Sequence, residues 1–137
     1  MGFNFYLSAE EERAIHDVLE RFSARAKYTL SLEQLVQKWS TFISRVEQGY
    51  TSSIYDYMND LATRDVIEEI LQVAPQSLHA KLLMTIQPLD RKFQELTQML
   101  QRPIDPIGKA RRTNPWWFCV PKNLKPQLQN DLRAHLR

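Results

Sequence analysis

The sequence predicts a mainly α-helical fold, a bundle of about five to six helices in a single domain spanning residues 1–137. Apolar residues recur at helical spacing in successive stretches of the chain. Only three glycines are present, few for an all-β chain, whereas leucine, glutamine and glutamate suit helices. With 43% hydrophobic and 25% charged residues, the composition is that of a globular protein long enough to bury a core.

The first helix is predicted to begin after Ser8 and to run to about Lys27. Ser8 and Glu11 have the spacing of a capping box, in which each side chain accepts a hydrogen bond from the other residue's backbone N–H. The preceding residues 3–7 alternate apolar and other side chains with the period of a β-strand. We therefore expect a short strand followed by a capped helix.

The second helix has a recognisable start signal at its N-terminal end and a recognisable stop signal at its C-terminal end. Ser31 and Gln34 form a second capping box, and Gly49 can adopt the left-handed conformation that ends a helix. Trp39 lies on the apolar stripe between them, so its truncation should be among the costliest in the protein. The stripe comprises Leu32, Leu35, Val36, Trp39, Phe42, Ile43 and Val46.

The stretch 49–71 changes its helical phase. Its apolar residues between 54 and 61 share one face of a helix, and those between 66 and 71 lie roughly opposite at about 100° per residue. A single straight helix would need both faces covered. We therefore predict two short helices that meet at an angle near Ala62 and Thr63, with Thr63 capping the second.

The next helix is predicted to begin at Pro75, which suits a first helical position because its missing N–H is not needed there. A narrow apolar stripe then extends from 78 to 100. Pro88 lies inside this stripe, and an interior proline kinks or divides a helix. Because the stripe keeps its phase across Pro88, we predict one kinked helix.

The C-terminal part begins with a basic loop at 101–114, where two prolines and a glycine interrupt the pattern. Residues 116–120 are aromatic and apolar and end at a proline, which is typical of a short extended segment. We expect this segment to pair with residues 3–7 in a small two-stranded β ribbon supported by the helices. A short terminal helix is predicted at about 126–136.

Charge is distributed unevenly along the chain. Residues 1–100 contain 10 Lys and Arg against 14 Asp and Glu, a net −4, whereas residues 101–137 contain 8 against 2, a net +6. The single cysteine gives no internal disulfide and suits a reducing compartment. Because the sequence has neither a long apolar run nor a signal-peptide pattern, we expect no membrane segment and a cytoplasmic location.

The phase-change region is the candidate interaction surface, because it combines tyrosines with acidic and amide side chains. Tyrosine is enriched at interfaces, where it offers contact area at a low entropy cost. Tyr57 shares the apolar face and is expected in the core. Our leading hypothesis is a non-enzymatic adaptor, inhibitor or regulator with an unidentified protein partner, and a homo-oligomer remains open. The candidate surface residues are Tyr50, Tyr55, Asp56, Asn59, Asp60 and Arg64.

Nucleic-acid binding is the first alternative. Lys109, Arg111 and Arg112 lie close to Trp117, and proteins that bind single strands combine cations with aromatic rings. The competing interpretation is a solvated loop beside a core tryptophan, which the modest sequence pI of about 8.8 favours.

A metal-dependent hydrolase is the second alternative. Asp56 and Asp60 are four residues apart and would share a helix face near Asp65, and carboxylates can hold Mg²⁺ or Ca²⁺. The competing interpretation is that these carboxylates cap the joint or are solvated. We predict no metal and no cofactor, because one cysteine and three scattered histidines give no zinc spacing and no glycine-rich phosphate loop is present.

Cys119 is a candidate nucleophile, with His16, His79 or His135 as its base. A cysteine between two apolar residues is more often a small buried side chain. The absence of a convincing catalytic constellation favours a protein that is not an enzyme.

Overall fold

The computed structural model describes residues 3–26, 30–99, 116–117 and 119–135. These residues confirm the predicted class, mainly α-helical with a small two-stranded ribbon. The predicted basic loop at 101–114 lies outside them. Within the described ranges, none of the helices is long and apolar enough to cross a bilayer. The elements in chain order are α1 (Ala9–Ala26), α2 (Leu32–Gln48), α3 (Ile54–Val73), α4 (Gln76–Leu96), β1 (Thr97–Met99), β2 (Cys119–Pro121) and α5 (Pro126–His135).

The predicted capping box at the start of α1 is confirmed. The Ser8 N–H donates to Glu11 Oε1 at 2.8 Å, and the Glu11 N–H donates to Ser8 Oγ at 3.1 Å. Glu11 is buried, and its Oε2 accepts a hydrogen bond from Ser77 Oγ at 2.9 Å and lies 3.6 Å from Lys81 Nζ. Glu11 therefore ties the start of α1 to α4.

These contacts predict an acid-sensitive link. The Ser8 N–H, followed by the Ser77 hydroxyl, holds the pKa of Glu11 below its ordinary value of 4.5. A carboxyl with a lowered pKa in the folded state stabilises the protein above its unfolded pKa and loses this effect as pH falls through the folded one. Glu11→Gln should therefore lower the urea midpoint at about pH 7. Near pH 3 the difference in urea midpoint between Glu11→Gln and wild type should be smaller.

The control is Glu10→Gln, which changes an exposed neighbour in the same first turn. It should leave the urea midpoint close to that of wild type at both pH values. An equal loss of stability for Glu11→Gln at both pH values would contradict the assignment.

Both predicted ends of α2 are confirmed. Ser31 and Gln34 form the reciprocal capping box, and the stripe that includes Trp39 is buried. Gly49 follows the last turn with a φ of 106°, a conformation that glycine adopts without a steric cost, and its N–H donates to Val46 O at 3.2 Å. A side chain there would also collide with Lys125, since an added Cβ would overlap Lys125 Cε.

The predicted break in the third helical region is wrong. α3 is continuous from Ile54 to Val73, and Thr63 is buried in its middle rather than capping a second helix. Ser53 caps the start, where its Oγ accepts from the Asp56 N–H at 3.2 Å. The apolar residues of α3 can move from one face of the helix to the other because neighbouring helices cover both faces. The helices that pack against α3 are α1, α2, α4 and α5. Both faces of α3 are thus covered while the helix stays continuous.

α4 passes through Pro88 as one helix, which confirms that this proline does not divide it. Its limits differ slightly from prediction. Pro75 precedes the first turn of α4 and is not part of it. The helix ends at Leu96 because residues 97–99 form β1. The helix therefore ends about one turn before the predicted stripe does.

The ribbon is present, but its first strand is not the predicted segment 3–7. β2 pairs antiparallel with β1, with Gln98 opposite Val120. In the segment 3–7, Phe5 is buried and its N–H lies 3.4 Å from Glu33 Oε1. An alternating pattern shows that one side of a segment is buried, but it does not identify the pairing partner.

Candidate functional site

The predicted interaction surface divides into buried and exposed residues. Tyr50 is only 1% exposed, and its hydroxyl donates to Asp60 Oδ2 at 2.7 Å. Arg64 is 3% exposed. Asp56 and Asn59 are exposed on the first turns of α3. Tyr50 and Arg64 therefore belong to the interior rather than to a surface.

Arg45, in the last turn of α2, holds this corner together. Its guanidinium lies 4.8 Å from the centre of the Tyr50 ring, and its Nη1 lies 3.4 Å from Asp60 Oδ2. Its Nη2 donates to Ser52 Oγ at 3.2 Å. Burial, reinforced by the Asp60 hydrogen bond, raises the pKa of Tyr50, so its hydroxyl stays a donor. No local pattern in the sequence points to Arg45, because Tyr50 and Ser52 lie in the connection after α2 and Asp60 lies on α3.

An open groove of about 390 Å³ lies along α2 beside this corner. Its lining combines polar side chains, among them Arg45 and Asp60, with the apolar side chains of Leu30 and Phe42. The groove is lined by Leu30, Gln34, Gln37, Lys38, Thr41, Phe42, Arg45 and Asp60.

Arg64 is the centre of a buried ionic network. Its Nε and Nη2 donate to the two oxygens of Asp90 at 3.1 and 2.9 Å, a bidentate pair. Its Nη1 donates to Glu68 Oε1 at 3.2 Å. Asp90 Oδ1 also accepts from Trp39 Nε1 at 3.0 Å. The network joins α2, α3 and α4, so Arg64 supports the fold.

Trp117, a predicted nucleic-acid contact, closes over this network. Its ring centre lies 4.7 Å from the Arg64 guanidinium, and its Nε1 donates to Asp65 Oδ1 at 3.0 Å. The side chain is buried. A base could stack on Trp117 only after this contact opened. Lys109, Arg111 and Arg112 lie outside the described residues.

Two of the three carboxylates named for the metal-dependent alternative, those of Asp60 and Asp65, have protein partners. Asp60 accepts from Tyr50, and Asp65 accepts from Trp117. In the described part of the chain, the potential ligands that do lie within 4.8 Å of one another are on α1, a cluster that the sequence did not single out. This group consists of His16, Asp17 and Glu20, all exposed.

Cys119 has the surroundings of a structural residue. It is buried, and its Sγ donates to Trp116 O at 3.0 Å. Burial raises the pKa of the thiol, which disfavours the reactive thiolate. His79 Nδ1 lies instead 2.9 Å from Leu71 O, and His16 pairs with Glu20. The side chain of His135 lies outside the described part.

Tyr50 and Arg45 thus join the second turn of α3 to α2 and the connection between them, and Tyr55, Asp56 and Asn59 lie exposed on the first turns of α3. They offer an aromatic ring, a carboxylate and an amide, which are groups that bind other molecules. No protein-family model, curated protein or solved structure matches this chain.

Proposed function

We propose that this protein is a non-enzymatic interaction protein, an adaptor, inhibitor or regulator, and that the start of α3 docks onto a protein partner. The observation that supports it is the Tyr55 side chain, which is 53% exposed beside the exposed Asp56 and Asn59. An exposed tyrosine flanked by polar groups is a common anchor in protein interfaces. We name Tyr55, Asp56 and Asn59 the α3 surface.

The α3 surface is preorganised. The Ser53 hydroxyl caps the helix, and Asp131 Oδ2 of α5 accepts from the Ile54 N–H at 2.9 Å. Tyr50 and Asp60 tie the next turn to the residues that follow α2. Because this backbone is already ordered, a partner would bind without the entropy cost of ordering a loop.

A cytoplasmic setting is part of this proposal. The chain has one cysteine, Cys119, which is free and buried. Proteins that keep free thiols suit reducing compartments, whereas small secreted proteins rely on disulfides.

The test is capture of partners from native lysate with mass spectrometry, followed by binding measurements with the purified partner. Tyr55→Ala combined with Asp56→Asn should weaken binding by tenfold or more, since interface tyrosines are often hot spots; about 1.4 kcal/mol is tenfold. Met84→Ala is the matched control, because Met84 is a 75% exposed apolar residue on α4. It should bind as wild type does.

A purified partner whose affinity is the same for both variants would overturn the assignment of the α3 surface. Capture of this chain alone, with a concentration-dependent mass in solution, would indicate a homo-oligomer instead. Circular dichroism of each variant establishes that the helices remain folded.

Nucleic-acid binding is the second proposal, supported by the basic cluster of Lys109, Arg111 and Arg112. The buried position of Trp117 reduces its support, since base stacking requires an accessible ring face. A salt titration distinguishes the two, because binding through phosphates weakens steeply as salt concentration rises. Absence of binding to single-stranded oligonucleotides at low salt would exclude it.

A further inference from the structure

A second surface lies at the opposite end of α2 from the α3 surface, where the N-terminal segment crosses α1. An open groove of about 340 Å³ is present there, within the size range of small binding sites. Its apolar lining includes Leu7, Leu19 and Leu32, from three different segments of the chain. Its polar lining includes the carboxylates of Glu12 and Glu33 together with Asn4, Ser31 and His16, the last of which pairs with Glu20 at 3.0 Å.

Tyr6 stands at this groove in an unusual conformation. Its φ is 48°, the left-handed region that non-glycine residues rarely adopt, and its side chain is 82% exposed. Phe5 on one side is buried, and the Tyr6 N–H lies 3.3 Å from Asn4 Oδ1. The backbone therefore holds an aromatic ring in solvent at an energetic cost, a feature that is often associated with binding sites.

The charge of the groove indicates its ligand. Glu33 Oε1 accepts a hydrogen bond from the Phe5 N–H at 3.4 Å, and within the described ranges neither Glu12 nor Glu33 forms a salt bridge. Two carboxylates and a tyrosine ring beside apolar side chains are complementary to a cationic group on an aliphatic stem. Carboxylates bind such a group by charge-assisted hydrogen bonds, and the ring face attracts it.

We propose that this groove binds an extended segment of a partner protein in which a cationic side chain lies between apolar ones. The apolar neighbours contact the leucines, and the cation lies between Glu12 and Glu33 under the ring of Tyr6. This proposal is independent of the α3 surface, because it depends on α1, the N-terminal segment and the start of α2. The two proposals can therefore fail separately.

The probe is a fluorescein-labelled, capped eight-residue peptide of alternating leucine and lysine, titrated with the full chain at about 0.15 M salt. Binding is followed by fluorescence anisotropy. Two matched peptides replace every lysine by glutamine or every leucine by serine. Both should bind at least tenfold more weakly, because each lacks one half of the proposed recognition. Equal binding of the glutamine peptide would overturn the proposal.

Variants locate the site on the protein. Glu12→Gln and Glu33→Gln should each weaken binding of the leucine–lysine peptide by about tenfold, as expected for a hydrogen bond to a charged group. Glu10→Gln, which removes an exposed carboxylate outside the groove lining, should leave the affinity unchanged. Equal effects at all three positions would show attraction to the acidic surface in general and would contradict a built groove.

Tyr6 gives the sharpest test, because different variants change its left-handed backbone conformation and its aromatic ring. Tyr6→Gly keeps the left-handed backbone and removes the ring, so the urea midpoint should stay close to wild type while binding weakens about threefold. Tyr6→Phe keeps the ring and should bind like wild type. In ¹H–¹⁵N spectra the peptide should shift the amides of Leu7 and Leu19. Shifts confined to α3, or unchanged affinity of Tyr6→Gly, would overturn the proposal.

Discussion

Trp39→Ala should lower the free energy of unfolding by about 3–5 kcal/mol, a large share of the roughly 5–15 kcal/mol typical of a folded domain. Trp39 is fully buried, and the centre of its ring lies 5.0 Å from that of the Phe93 ring and 5.6 Å from that of the Phe42 ring. Truncation would leave a cavity between α2 and α4 and remove the Nε1 donor to Asp90. Urea denaturation followed by circular dichroism measures the loss.

Two variants separate the contributions of Trp39. Trp39→Phe fills part of the space but lacks the donor. Its free energy of unfolding should therefore lie between those of wild type and Trp39→Ala. Gln37→Ala changes an exposed position on the same helix and should alter the stability by less than about 0.5 kcal/mol. A urea midpoint for Trp39→Ala equal to that of wild type would refute the assignment of this residue to the core.

Arg64→Met should destabilise the protein by about 3–5 kcal/mol, the range found when one partner of a buried ion pair is removed. The Asp90 carboxylate is largely buried, with 14% of its side chain exposed, and would lose its bidentate cation. The contact of the guanidinium with the Trp117 ring would also be lost, so the indole fluorescence should change. Chemical denaturation and tryptophan emission provide the measurements.

A double-mutant cycle identifies the cause of the Arg64 effect. Asp90→Asn retains an oxygen that can accept from Trp39, and the Arg64→Met/Asp90→Asn pair should cost less than the two single changes added together. Arg91→Ala, at an exposed position one residue along α4, is the control and should be nearly neutral. Additive effects of Arg64 and Asp90 would show that the pair is not coupled.

Local hydrogen bonding made α1 and α2 predictable. The Ser8–Glu11 and Ser31–Gln34 capping boxes each connect residues three positions apart, so a pattern in the sequence contains the whole interaction. The continuous α3 was not predictable in this way. Its change of apolar phase looks like a break unless both of its faces are known to be covered.

The candidate site was only partly predictable for the same reason. The sequence identified the exposed Tyr55, Asp56 and Asn59 by residue type, but it also placed Tyr50 and Arg64 on the surface. Both are buried because their partners come from elsewhere in the fold. The groove beside Tyr6 was missed altogether, since three separate segments line it.

The sequence by itself determined the helical class, the ends of the first two helices and the buried stripe of α2, because periodicity and capping act over a few residues. Only the tertiary structure decided which charged and aromatic groups are internal. Arg64 meets Asp90 across 26 positions, and Trp117 meets Asp65 across 52. Contacts at such separations depend on how the helices pack, and no local pattern encodes them.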